Sequence, residues 1–346
     1  MKQGLRMISL AALFVLGMNG ISAQGPNGSG TYYQHADGKR GAALKTALCG
    51  VIYNRDEGGD LSTAYKALWT HFQTTDKREN GTVWDMYSNK REMTFGTDQA
   101  GNYSQEGDVY NREHSFPNSW FGGKAMPMYT DLHHLYPTDG YVNNKRGNFP
   151  FGETNGESYK SANDFSKLGK CTYPGYTGTV FEPNDEYKGD FARTYFYMVT
   201  CYEEQLTDWY SKYPESQPTL SGTAYPGLSQ WQLEMLMKWS ANDLVSDKEI
   251  NRNNAVYAIQ QNRNPFIDYP GLERFIWGDL KGVAFSYDNY TTSINDILVK
   301  DNGYDVPEAI YAPDGRQLNT LKKGINILRS KDGKVKKMLR PKSSQE

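Results

Sequence analysis

The chain has 346 residues, 38% hydrophobic and 14% aromatic, with a formal net charge of −2. That length supports one large domain or two ordinary ones around a sizeable core, and 26 tyrosines make that core aromatic and amphipathic rather than the interior of a disordered chain. Setting aside Lys2, Arg6 and the segment from Gly303, which holds ten Lys/Arg against five Asp/Glu, the body carries a charge near −9; this argues against broad, charge-driven binding of a polyanion and confines any nucleic-acid site to a local positive groove.

The first element is MKQGLRMISLAALFVLGMNGISAQG, with two cations before an apolar run from Met7 to about Met18 and small residues ending at Ala23. This is the layout of a cleavable secretory signal over 1–23, too short for a comfortable membrane span. Cleavage after Ala23 is expected, with export and no later spanning segment. Residues 24–41, rich in Gly, Ser, Asn and Tyr, read as an extended leader. ALKTALCGVIYN is helix-compatible, and DMYSN and EMTFGT read as strands. DFARTYFYMVTCYEEQLTDWY has near-helical apolar spacing and reads as one buried helix between Gly189 and Tyr210. Further helices are expected through WQLEMLMKWSANDL and through DKEINRNNAVYAIQQNRN, the latter stopped by Pro265. From 303 to 346, strand-like pieces split by DG, KKG and DG turns predict a small β-rich tail.

Cys49, Cys171 and Cys201 cannot all pair within the chain. In an oxidising compartment two outcomes stay open, a Cys171–Cys201 bridge or none.

The unusual chemistry lies between 108 and 153. His35 and His71 stand alone and read as ordinary histidines, whereas His114, His133 and His134 fall close together in NREH and DLHHLYP. Glu113 is a hard oxygen ligand suited to a small cation, and His114 is a base that titrates near neutrality. After DLHHLYP, a strand-like run, Thr138 is the expected N-cap with Asp139 in the first turn. The resulting helix would carry Asn143 and Arg146 on one face and close at Gly147. Two strands and a short helix offering Glu, His, Asn and Arg would form a compact metal and phosphate site.

NREH, DLHHLYPTDGYVNNKRGNFPFGE and the later QNRNPFIDYP together resemble the bacterial endonuclease I family of secreted or periplasmic nonspecific nucleases, over about residues 42–280. The resemblance implies an α+β fold, with mixed helices and small sheets around a ββα-metal (His-Me) finger inside a nuclease domain at 42–302. It implies an exported endonuclease that hydrolyses phosphodiester bonds of DNA, and of RNA, to 5′-phosphate ends. His114 then matches the general base, and Glu113 with Asn143 matches the ligands of Mg²⁺, with Mn²⁺ or Ca²⁺ as substitutes. The segment SFPNSWFGGKAMPMYT is shorter than the family's usual insert and offers only Lys124 where an arginine holds the phosphate. Arg146 is therefore favoured over Lys124 as the clamp, because a planar fork suits phosphate better than a point charge.

Other residues keep two readings. His133 and His134 are candidates for orienting His114 or touching phosphate, but neighbours on a strand cannot both reach one cleft. Asn148, Phe149 and Phe151 are expected to fix the chain after the helix. Arg263 and Asn264 either contact the nucleic-acid backbone or, as favoured for Arg263, pair inside the fold with Asp268. The tail resembles sorting or attachment modules of exported proteins. Two rival functions remain at this level: a secreted zinc hydrolase built on the His133/His134 pair, and a non-enzymatic, aromatic-rich surface binding module. A monomer is expected.

Overall fold

The computed structural model describes residues 28–53, 61–288, 290, 309–313, 315–318, 324–329 and 335–340. The expected signal at 1–23 lies outside them. The fold is α+β: helices pack around an aromatic core, with small antiparallel sheets at its edges.

In chain order the body contains α1 (Gly41–Tyr53), α2 (Leu68–Thr75), β1 (Tyr110–His114), β2 (Leu135–Asp139) and α3 (Gly140–Arg146). There follow β3 (Tyr159–Lys160), β4 (Lys167–Lys170), β5 (Thr179–Glu182), α4 (Lys188–Cys201), α5 (Leu206–Lys212) and α6 (Gln230–Asn242). The body ends with α7 (Asp247–Gln260), α8 (Pro265–Asp268) and α9 (Leu272–Ile276). β3, β4 and β5 form one antiparallel sheet in that order. In the tail, β6 (Ala309–Tyr311), β7 (Gln317–Leu318), β8 (Gly324–Arg329) and β9 (Val335–Arg340) form a second, in the order β7-β6-β8-β9.

The buried centre is α4. Every residue from Gly189 to Cys201 is buried, because the helix packs against α6, α1 and α8 together. An all-round buried helix must satisfy its polar side chains internally. Arg193 accordingly donates to Glu249 through Nε (2.6 Å) and Nη2 (2.9 Å). The expected single helix from Gly189 to Tyr210 is two: the chain leaves helical geometry at Tyr202 (φ −106°, ψ 34°), passes through a 3-10 turn at Glu203–Gln205 and restarts as α5. Apolar periodicity continues across the break because α5 buries Leu206 and Trp209 in the same core that surrounds α4.

Other expectations also shift. DMYSN and EMTFGT form turns and loops rather than strands; Asp85 gathers the backbone N–H groups of Tyr87 (2.8 Å) and Ser88 (3.0 Å), a local alternative to ladder pairing. The helix expected to run up to Pro265 stops at Gln261, which adopts the left-handed conformation (φ 59°). Pro265 instead starts α8, with Asn264 as its N-cap. Residues 28–40 are not a loose leader: Tyr33 and Ala36 are fully buried, and the Tyr33 hydroxyl donates to Asp268 Oδ2 (2.7 Å). None of the three cysteines is bridged to another, so the Cys171–Cys201 disulfide is not formed; Cys49 Sγ–H donates to the Cys201 carbonyl (3.3 Å). Among the described residues no helix is long and apolar enough to cross a membrane.

Two buried polar clusters hold the segment that leads into β2. Arg252 of α7 donates to Asp76 Oδ1 (2.8 Å) and to the carbonyls of Leu132 (2.8 Å) and Leu135 (2.7 Å). Asp131 accepts from the hydroxyls of Tyr197 (2.7 Å) and Tyr202 (2.6 Å) and from Gln260 Nε2 (2.7 Å). Loss of Arg252 or of Asp76 would leave the other as an uncompensated buried ion, so this scaffold fixes the strand pair on which the site stands.

Candidate active site

β1 and β2 pair antiparallel, with Glu113 opposite Tyr136 and His114 opposite Leu135. β2 runs through Thr138 and passes directly into α3. The N-cap is therefore Asp139, not Thr138: its Oδ1 accepts from Tyr141 N (2.9 Å) and Val142 N (3.1 Å). Thr138 is held in the ladder opposite Asn111. The other Asp139 oxygen accepts from Gly107 N (2.6 Å), which ties the loop before β1 to the start of the helix. The helix closes at Gly147 (φ 56°), as the sequence suggests. β1, β2 and α3 thus form a strand-strand-helix finger.

The finger opens into a polar cleft of about 310 Å³ lined by Glu113, His114, Asn143 and Arg146, with Tyr103, Asn111, Pro117, Asn118, Asn144, Gly147 and Asn148 around them. The adjacent acid and histidine both reach it because β1 ends at His114, where the cleft begins. They then turn to different partners. Glu113 Oε1 accepts from the Tyr87 hydroxyl (2.9 Å) and from Arg146 Nη1 (2.8 Å). Burial pushes its carboxyl above the usual range, while Arg146, Tyr87 and the Asn143 side chain, each interacting with the carboxylate, pull it back down. His114 Nε2 lies 3.0 Å from the Tyr129 carbonyl. A carbonyl only accepts, so Nε2 carries the proton and Nδ1 is left as the basic nitrogen. Burial, and then the neighbouring His134, lower its pKa to about 3, so the imidazole is neutral at physiological pH.

Arg146 is 1% exposed. Nη1 donates to Glu113 Oε1 and to the His114 carbonyl (3.2 Å), and Nη2 to the Ser115 carbonyl (2.7 Å) and the Tyr195 hydroxyl (3.4 Å). All four terminal N–H groups are therefore engaged by the protein, and Nε is buried without a partner. Lys124 is exposed and is not among the cleft-lining residues.

The remaining candidates are held elsewhere. His133 Nε2 faces the Asn262 carbonyl (3.3 Å) and His134 Nε2 the Met128 carbonyl (2.7 Å), both fully inside the protein. Arg263 pairs with Asp268 through Nε (2.6 Å) and Nη2 (2.7 Å), and Asn264 caps α8 while donating to the Arg193 carbonyl (3.1 Å). Neither reaches the cleft. After the helix Phe151 is fully buried, whereas Phe149 is exposed and Asn148 lies on the cleft rim.

The donor set decides which cation suits the cleft. Among the described residues no three His, Cys, Asp or Glu side chains gather where they could hold a metal, so the protein-rich ligand set of a zinc site is absent. The zinc reading loses its residues as well, since His133 and His134 are both turned to backbone carbonyls. One carboxylate beside one amide at an open polar cleft fits a hard cation that keeps most of its waters. The amides of Asn111, Asn118 and Asn144 were not singled out by sequence reasoning, and Asn148 was expected only to fix the chain after the helix, whereas all four line the cleft.

A model of the endonuclease I family matches residues 40–271, which contain this finger and the α4–α8 scaffold behind it. The chain belongs to the endonuclease I family. As a family member it is similar to an extracellular ribonuclease of Bacillus amyloliquefaciens, 36% identical over 253 residues covering 71% of this chain and 78% of that protein. A second extracellular ribonuclease, from Bacillus subtilis, is 33% identical over 292 residues, covering 78% and 91%. An extracellular deoxyribonuclease of Aeromonas hydrophila matches over a shorter span, 27% identical over 143 residues, covering 41% and 50%. This endonuclease I family member therefore resembles relatives named for ribonuclease and for deoxyribonuclease activity.

Proposed function

We propose that this family member is an exported, divalent-metal-dependent endonuclease that hydrolyses phosphodiester bonds in DNA and RNA with little sequence preference, leaving 5′-phosphate ends. The observation that carries the reading is the convergence of Glu113, His114 and Asn143 on one cleft, with the tautomer of His114 fixed by the Tyr129 carbonyl. Export is supported by relatives named as extracellular nucleases.

In this mechanism His114 Nδ1 accepts a proton from water as the water oxygen forms its bond to phosphorus, and the bond from phosphorus to the 3′ oxygen breaks, the 3′ oxygen taking a proton from a second water of the open cleft to leave as a hydroxyl. The Nε2–H bond to the Tyr129 carbonyl keeps the ring aligned as Nδ1 becomes protonated and the imidazolium needs an acceptor. Glu113 and Asn143 would hold Mg²⁺ (or Mn²⁺ or Ca²⁺), and the cation would neutralise charge on the phosphate and the leaving oxygen. Arg146 anchors Glu113 from beneath, and the cleft amides bind phosphate oxygens and sugar-ring oxygens, groups present at every nucleotide of DNA and of RNA. Contact with such groups rather than base edges gives little sequence preference. The test is incubation of plasmid and of a structured RNA with the protein in Mg²⁺, with and without EDTA. Cleavage of both that EDTA abolishes is expected; intact substrates in Mg²⁺, or cleavage that survives EDTA, would reject the proposal.

A further inference from the structure

His114 is held by more than its hydrogen bond. The rings of Tyr65, Tyr129 and His114 are nearly parallel: Tyr129 lies 5.2 Å from the imidazole at 14°, Tyr65 lies 4.3 Å from Tyr129 at 17°, and Tyr65 and His114 are 6.3 Å apart at 9°. The guanidinium of Arg112 sits over Tyr65 (3.7 Å) and over Trp69 (4.3 Å), and its Nη1 donates to the Tyr65 carbonyl (2.8 Å). A second tie joins the same segment to the Tyr129 loop, from Thr63 N to Thr130 Oγ1 (3.1 Å).

One hydrogen bond at Nε2 fixes one direction of the imidazole and leaves its plane free to swing. Stacking fixes the plane, and the Nδ1 lone pair lies in that plane. Both constraints are needed to aim it. We propose that Tyr65 and Tyr129, braced by Arg112 and Trp69, are positioning residues that set the plane of His114 for proton abstraction. The inference rests on His114 as general base and adds Tyr65 and Tyr129, neither of which is among the cleft-lining residues.

The experiment measures kcat and KM on a defined duplex in Mg²⁺ for Tyr65→Leu, Tyr65→Phe and Tyr129→Leu, the last of which keeps the carbonyl acceptor. Each Leu variant is also made in a His114→Ala background, and folding is checked by thermal melting. Misaiming a catalytic group costs up to about a hundredfold. The Leu variants are expected to lose about 10–100-fold in kcat with KM within about twofold, while Tyr65→Phe, which keeps the ring, stays near native. In the His114→Ala background the Leu substitutions should cost nothing further, because the group they aim is gone. Native kcat in either folded Leu variant overturns the proposal, as does an equal loss with and without His114. A His114→Ala enzyme of native activity would instead sink the general-base reading itself.

Discussion

Arg146→Met removes the guanidinium beneath the cleft and nearly preserves volume. The side chain is 1% exposed and its two terminal nitrogens serve Glu113, two backbone carbonyls and a tyrosine hydroxyl. Deleting one partner of a buried ion pair costs about 3–5 kcal/mol, because the other charge stays buried and unpaired; here that charge is Glu113, 6% exposed. Against a typical total of about 5–15 kcal/mol this is a large fraction, and it corresponds to a fall in Tm of roughly 10 °C for a domain of this size. Urea unfolding at pH 7 measures it. The double variant Glu113→Gln/Arg146→Met should recover much of the loss, since its remaining carbonyl needs only a hydrogen bond. An Arg146→Met protein that melts at the native temperature and shows only a raised KM would refute the anchoring role and restore Arg146 as a free phosphate clamp.

Other outcomes follow from the same geometry. A Cβ at Gly140 would meet Asn111 Nδ2 at 2.9 Å, Val109 at 3.1 Å and Tyr103 at 3.2 Å, so Gly140→Ala should cost about 1–3 kcal/mol and lower turnover by displacing two cleft-lining side chains, measured by melting and by plasmid cleavage. Burial holds His133 neutral down to about pH 4, below the value of about 6.5 for an unfolded histidine. The unfolded chain therefore binds the extra proton between those limits, and stability falls as pH drops through that window by about 1.4 kcal/mol per unit from this residue. His133→Gln, which can still donate to the Asn262 carbonyl, should remove that share of the slope in urea titrations between pH 6.5 and 4; an unchanged slope would contradict it. Thiol titration should label only Cys171 in the native protein, and slowly, because it is half-buried and burial pushes its thiol up, and all three cysteines only after unfolding, because Cys49 and Cys201 are buried and none is bridged.

Much of the site was legible because its elements are local. Glu113 and His114 end one strand, Asn143 and Arg146 share one helix face, and Gly147 marks the stop, so short-range rules place them. What the sequence concealed depends on distant packing. Tyr65 and Tyr87 look like two tyrosines among many, and only the fold sets one against Tyr129 and the other against Glu113. Arg146 looks like an open fork on an amphipathic helix; that Ser115 and Tyr195 complete its donor set depends on where β1 ends and α4 passes. The strand expected at DMYSN failed because Asp85 offers that backbone local partners, the one at EMTFGT because Asp98 takes the Thr94 N–H, and the long helix broke at Tyr202 although the apolar period ran on.

The central claim is that His114 abstracts the proton from the attacking water. Single-turnover cleavage of a defined DNA duplex and its RNA counterpart, at saturating enzyme and Mg²⁺, compares native protein with His114→Ala while affinity is measured separately in Mg²⁺ on non-hydrolysable analogues of the same substrates. General-base catalysis contributes about 10²–10⁴-fold, so a rate loss of that order with unchanged affinity is expected on both substrates. A His114→Ala protein that cleaves at the native rate would contradict the account.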